Sequence, residues 1–283
     1  MTTETCRLCD HGAVPHAAGG VADMCFDLDS HPPIPPIAGG SLDQAPLVLT
    51  AADRNRIAAF RARAAEPNGA AVELLPDVRG LHPYYEELAL RFAEHGIDAL
   101  AIDWFGRTAG PEPRDDAFDY GPHTTQTTWA GIRADIVAAV EEIGSPDDDR
   151  AAPTSIFTVG FCMGGRMSFL AATLGLDLAG VIGLYGTLAG PWRNDAPAPL
   201  DVASTFASPV LGLFGGADTV ITPDAIAAFD AALSAAGVEH RLVTYPGAPH
   251  SFFDRKAAEF ADASASAWSE ILAFIDARSG AGA

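Results

Sequence analysis

Gly160-Phe161-Cys162-Met163-Gly164-Gly165 decides how the rest of the chain is read. An apolar, β-prone run from Ser155 to Phe161 leads into it, and a helix-like run from Arg166 to Leu174 leads out. Glycines stand two residues before and two residues after Cys162. That is the spacing of a nucleophile elbow, with cysteine in the usual serine place. The helix must fold back close to the strand, so side chains at positions 160 and 164 would collide. A turn this tight holds its central residue in a strained conformation and lifts the sulfur above the sheet. It also leaves the amide of Met163 free to donate to a developing oxyanion. The competing reading of Cys162 is the common one for a free cysteine, a small buried hydrophobe.

Regular structure extends outward from this stretch in both directions. Upstream, Leu47 to Ala51 and Ile57 to Ala64 read as strands around the polar turn Asp53-Arg54-Asn55. Ala58, Phe60 and Ala62 alternate with Arg61 and Arg63, as in a half-buried strand. Ala71 to Leu75 is an apolar strand ending at Pro76. Pro83, Glu86 and Glu87 then suit the start of a helix that Gly96 caps. Ile97 to Ile102 is a further buried strand. Asp103 to Gln126 is a long loop of the kind that often carries function. A helix from about Thr128 to Ile143 precedes the elbow strand. Downstream come a strand from Leu178 to Tyr185, a second long loop from Gly190 to Ser208, and a strand from Val210 to Phe214. Thr222-Pro223 opens a helix that Gly237 ends. Val238 to Tyr245 is the last strand, and Ala257 to Ala277 the closing helix. Strands alternating with helices imply an α/β fold, a mostly parallel twisted sheet with helices on both faces.

Residues 1–45 have a different character and form an N-terminal arm; residues 46–283 form one α/β domain. The arm carries Cys6, Cys9 and Cys25, with His11, His16 and His31 interspersed. Its run Pro32-Pro33-Ile34-Pro35-Pro36 predicts extended, polyproline-II backbone along the domain surface. Cys6-x-x-Cys9 with His11, His16 and Cys25 is a possible zinc set, but the spacing completes no familiar knuckle or finger. Reduced thiols in an ordinary arm are the expectation, with no bound metal.

The chain has 283 residues, 48% of them hydrophobic and 19% charged, which is globular and not disordered. Its 17 basic and 37 acidic residues give a formal net charge of −20. A phosphate backbone is repelled by such a field, which argues against nucleic-acid binding. No stretch approaches a membrane span, and Met1 to Asp10 lacks the basic flank and apolar core of a signal peptide. Four cysteines in this length suggest no disulfide framework. A cytoplasmic protein is the expectation. The oligomeric state is left open.

Active sites of such sheets lie at the carboxyl ends of the strands. Cys162, Asp218 and His250 each fall just after a predicted strand. Imidazole can take a thiol proton near neutral pH, and a carboxylate can hold the imidazole tautomer and stabilise its charged form. The order nucleophile, acid, histidine is that of α/β-hydrolases. His250 read blandly is a surface-loop histidine, and Asp218 a capping acid before Pro223.

Three stretches carry a family resemblance: the elbow, Phe214-Gly215-Gly216-Ala217-Asp218, and Tyr245-Pro246-Gly247-Ala248-Pro249-His250-Ser251-Phe252. Together they resemble the dienelactone hydrolase (carboxymethylenebutenolidase-like) family, over roughly residues 46 to 280. The resemblance implies an α/β-hydrolase fold without a large cap and no cofactor. It also implies hydrolysis of a small-molecule ester or lactone through an acyl-thiol intermediate on Cys162. In Pro76-Asp77-Val78-Arg79-Gly80, Asp77 stands where the family has a thiol-controlling glutamate and is one methylene shorter. Val78 would supply the second oxyanion amide beside that of Met163. Arg107 and Arg255 resemble the family's carboxylate-binding arginines, and the match of Arg255 is offset by one residue. Each arginine also reads as a solvated charge or a structural ion pair. Trp104 and Phe161 are candidate apolar walls of the substrate site. Two alternatives stand beside lactone hydrolysis: a general carboxylesterase or thioesterase, and a non-catalytic α/β-hydrolase-like binding protein.

Overall fold

The computed structural model describes residues 30–37, 43–114, 117–147, 150–192, 195–254 and 256–279. Cys6, Cys9, Cys25, His11, His16 and Arg255 lie outside the described residues. Eight strands form one sheet: β1 (Asp43–Thr50), β2 (Arg56–Arg63), β3 (Ala70–Leu75), β4 (Asp98–Ile102), β5 (Ser155–Phe161), β6 (Gly180–Leu184), β7 (Val210–Gly215) and β8 (His240–Tyr245). Their order across the sheet is β1-β2-β4-β3-β5-β6-β7-β8. Only β2 runs against its neighbours; every ladder from β4 to β8 is parallel. The parallel strands read as continuous apolar runs because both of their faces are covered, and β3, β6 and β7 are buried along their whole length.

The helices are α1 (Pro83–Glu94), α2 (Gly106–Ala109), α3 (Tyr120–Thr124), α4 (Trp129–Ile143), α5 (Met163–Ala171), α6 (Pro199–Val202), α7 (Pro223–Ala236) and α8 (Ala261–Asp276). The two-residue period of β5 sorts them onto the two faces. Phe157 points to α8, whose Phe274 ring lies 6.3 Å away, and α8 in turn meets α1 through Trp268 and Phe92. Thr158 points the other way and bonds Ser168 of α5 at 2.8 Å. Phe169 of α5 lies 5.4 Å from Phe229 of α7, which places α7 on that same face. This is the expected α/β-hydrolase architecture, and the described residues contain no large cap.

The sequence expectations differ from the structure at several ends. β1 begins at Asp43, three residues ahead of Pro46, because the ladder with β2 continues to the pair Asp43 and Arg63. Pro46 is tolerated because β1 is an edge strand. The closing helix starts at Ala261 instead of Ala257, after the turns of residues 256–260. The two long loops are not wholly irregular: α2 and α3 lie in the first, and α6 with a 3₁₀ turn at Ala203–Thr205 in the second. Among the described residues no helix is long and apolar enough to cross a membrane.

Candidate active site

Cys162 sits between β5 and α5 with φ 53° and ψ −109°, in the positive-φ region that side chains disfavour. The close return of the helix is what forces it there. A Cβ at Gly160 would lie 1.9 Å from the Gly164 carbonyl oxygen, and one at Gly164 would lie 2.0 Å from the Leu75 carbonyl oxygen. The bend is pinned by the Cys162 amide, which donates to the Leu184 carbonyl at 3.0 Å. Met163 is the first residue of α5, so its N–H has no partner within the helix.

The loops after β7 and β8 are fastened to one another. Gly216 donates to the Tyr245 carbonyl at 2.8 Å and Ala217 to that of Ala248 at 2.9 Å. They thereby bring together two of the predicted residues: His250 Nδ1 donates to Asp218 Oδ2 at 2.7 Å. The other oxygen of Asp218 accepts from the amides of Val220 and Ile221 at 2.7 and 3.1 Å, which sets the carboxylate plane. His250 Nε2 is buried with no hydrogen-bonding nitrogen or oxygen beside it. Burial opposes charge on this imidazole. The neighbouring Cys162 and the Asp218 carboxylate outweigh it and raise the pKa from 6.5 to about 10. His250 and Asp218 thus meet across the ends of β7 and β8, and Cys162 stands at the end of β5.

Val78 lies two residues beyond Pro76, in a loop held on several sides. Trp104 Nε1 donates to the carbonyls of Pro76 and Asp77 at 3.1 and 3.0 Å. The Asp77 amide donates to the Tyr85 hydroxyl at 3.0 Å, and Thr124 Oγ1 donates to the Val78 carbonyl at 3.4 Å. Trp104 is therefore a brace for this loop and is buried, instead of forming the expected pocket wall. Phe161 is likewise packed inside, with Tyr85, Tyr185 and Phe253 within 6.4 Å centroid to centroid.

Two charged residues are engaged differently from expectation. Both oxygens of Asp77 accept from Arg79, from Nε at 3.1 Å and from Nη2 at 2.7 Å, and the Arg79 amide adds a bond at 2.8 Å. The carboxylate is turned to the guanidinium and not to the thiol. Arg107 directs Nη1 and Nη2 at Asp135, at 2.5 and 2.9 Å, and Nε at Asp53, at 2.9 Å. The fork that would grip a substrate carboxylate is filled by the protein's own acids, so Arg107 is a structural ion pair. Sequence reasoning passed over Arg79 and Asp254, whose carboxylate Oδ2 also accepts from Arg79 Nη2. The Asp-x-Arg spacing was visible in the sequence, but a partner 175 residues away was not.

Among the described residues no three His, Cys, Asp or Glu side chains gather as a metal cluster. The sheet order and the strand-to-helix elbow define the α/β-hydrolase class. The chain belongs to the dienelactone hydrolase family, whose model matches residues 57–279. A Saccharolobus solfataricus protein named "Putative carboxymethylenebutenolidase" is 28% identical over 262 residues, which cover 79% of this chain and 95% of that one. A Salmonella typhimurium protein of the same name is 29% identical over 203 residues, covering 69% and 72%. The crystal structure titled as a "Putative Dienelactone Hydrolase" from Klebsiella pneumoniae superposes with a TM-score of 0.70 at 25% identity, over 83% of this chain and 99% of that one. A dienelactone hydrolase-like phosphotriesterase, P91, from metagenomic libraries shares the fold at TM-score 0.68 and 21% identity, over 85% of this chain and 100% of that one.

Proposed function

We propose that the protein hydrolyses a small-molecule ester or lactone with Cys162 as nucleophile, His250 as general base and acid, and Asp218 as its orienting carboxylate. The observation that carries this reading is the 2.7 Å bond from His250 Nδ1 to Asp218, together with the strand-to-helix elbow that holds Cys162 at φ 53°. Nε2 takes the thiol proton, and the sulfur attacks the carbonyl carbon. The amides of Met163 and Val78 stabilise the resulting oxyanion. As the tetrahedral adduct collapses, the carbon–oxygen bond to the alcohol breaks and the leaving oxygen takes the proton from His250. Water then attacks the acyl-thiol, giving its proton to Nε2, and the acid departs as the sulfur leaves.

Incubation with a panel of esters and lactones, followed by mass analysis, tests this reading. An acyl adduct on Cys162 is expected, and Cys162→Ala should be folded and inactive. Wild-type turnover in that variant would sink the mechanism. A second measurement addresses the neighbourhood of the imidazole: the His250 titration should fall well below 10 in Cys162→Ala, because the largest influence raising it is gone.

The engagement of Arg107 favours a second reading, a general carboxylesterase or thioesterase with no preference for a free carboxylate. A matched pair of substrates, acid-bearing and methyl-capped, decides between the two. If Arg107→Ala leaves the ratio of specificity constants unchanged while Arg255→Ala shifts it, the lactone-acid reading survives on Arg255. If wild type prefers the capped partner, the general esterase reading takes its place.

A further inference from the structure

The described part of the N-terminal arm, residues 30–37, is fixed along α1. His31 Nδ1 bonds the Glu87 carboxylate at 2.8 and 2.9 Å, and the Ile37 amide donates to Glu94 at 3.1 Å. Ser30 lies at the other end and reaches inward. Its Oγ accepts from Arg79 Nη1 at 3.1 Å.

Arg79 is the meeting point of three segments. Its side chain is 2% exposed. Nε and Nη2 bind Asp77 in the loop after β3, and Nη2 also binds Asp254, four residues beyond His250. Tyr84 and Tyr85 of α1 face the guanidinium at 5.6 and 5.9 Å from their ring centroids. The Arg79 amide returns to Asp77 Oδ1, so side chain and backbone close a ring around the Val78 peptide. The orientation of the Val78 N–H is set by that ring. The histidine loop on the far side is strained, with Ser251 at φ 58°. Asp254 is what ties that loop to Arg79. Two buried carboxylates around one guanidinium leave an excess negative charge, and neutral polar partners are needed to settle it. Burial raises the Asp254 carboxyl from 3.8 to about 6, with Arg79 the largest opposing influence, and its Oδ1 is buried without a hydrogen-bond partner.

We propose that Arg79 is a positioning residue that holds the Val78 amide and the His250 loop in register, and that Ser30 completes this lock from the N-terminal arm. The inference rests on the catalytic reading given above. It makes the arm part of the working enzyme, since a segment outside the sheet supplies one of the bonds that orient the guanidinium.

The test uses the full chain with Ser30→Ala, Ser30→Thr and Arg79→Lys. Acylation is followed in a single turnover with a chromogenic ester. Ser30→Ala should slow acylation about three- to tenfold, with KM within about twofold and an unchanged melting temperature. Ser30→Thr keeps the hydroxyl and should restore the rate. Arg79→Lys should lose about a hundredfold, because an ammonium cannot span both carboxylates with fixed geometry. A wild-type acylation rate in Ser30→Ala would overturn the proposal. So would a lower melting temperature with unchanged kinetics well below the transition, which is the signature of a purely structural contact. Full turnover in Cys162→Ala would instead sink the underlying catalytic reading, so the two failures are distinct.

Discussion

Arg79 follows β3 and Arg107 follows β4, and each guanidinium lies between two aspartates. Their surroundings differ. Arg79 is enclosed between the loop after β3, the His250 loop and α1, whereas Arg107 is 28% exposed and joins the β1–β2 turn to α2 and α4. The first cluster spans the two loops that the proposed chemistry needs at a fixed distance. The second spans elements that only need to stay packed. On the proposal above, the same charge pattern tunes geometry in one place and stability in the other.

The comparison breaks most visibly at Arg79. Arg79→Met should lower the specificity constant for a neutral ester about a hundred- to a thousandfold, since both Asp77 and Asp254 are left buried and unpaired. A loss of less than threefold, with the fold intact by circular dichroism, would remove the cluster from the positioning role. Arg107→Met should leave turnover at 25 °C within about twofold. It should cost about 2–4 kcal/mol in urea denaturation, between the exposed and buried limits for such pairs, because Asp135 is fully buried. Selective loss of acid-bearing substrates in that variant would restore Arg107 as a ligand anchor.

The pH dependence sharpens the contrast. The Asp254 carboxyl, pushed up to about 6 by burial, must be ionised to hold Arg79. Turnover should therefore fall as pH drops through about 6, with a limb that Asp254→Asn abolishes. The groups facing that carboxyl are Arg79, Asp77, Ser30 and Tyr84.

Glu73, in the middle of β3, is the case without a guanidinium. Neither of its oxygens has a hydrogen-bond partner, and burial, with a smaller contribution from the charge of Asp135, holds its pKa well above the usual carboxylate range. The folded state therefore keeps a proton that the unfolded chain releases, and stability falls as pH rises above about 4.5. Glu73→Gln should match wild type near pH 4 and exceed it by about 1–2 kcal/mol at pH 8 in denaturation. Equal stability at both pH values would contradict a protonated Glu73. The smallest effect is expected at the exposed pair of Arg241 and Glu270, whose 2.6 Å contact is open to water. Arg241→Ala should leave the melting temperature unchanged.

What the sequence disclosed follows from the range of the interaction involved. The elbow was legible because a steric constraint acts over four residues, and glycine is its only solution at 160 and 164. The order of Cys162, Asp218 and His250 could be read because parallel crossovers return each strand end to one side of the sheet. The Asp218–His250 bond is a consequence of that topology. Arg107 was misread as a ligand anchor because its occupancy depends on Asp53 and Asp135, 54 and 28 residues away. Trp104 was taken for a pocket wall because aromatic character alone does not tell a loop brace from a lining residue. The lock around Arg79 draws on Ser30, Asp77 and Asp254, and nothing local in the chain links those three.

The close return at the elbow also divides what can be varied from what cannot. A methyl group at 160 or 164 meets a backbone oxygen at about half of normal contact distance, and neither oxygen can yield without lifting α5 from the sheet. No graded series of substitutions exists at those positions. Position 162 lies between them, its backbone held at φ 53° by the same close return. On the catalytic reading proposed above, the mount is fixed and the reactive group it carries is what can differ. An engineer who tests that reading by exchanging thiol for hydroxyl at 162 would leave both glycines in place.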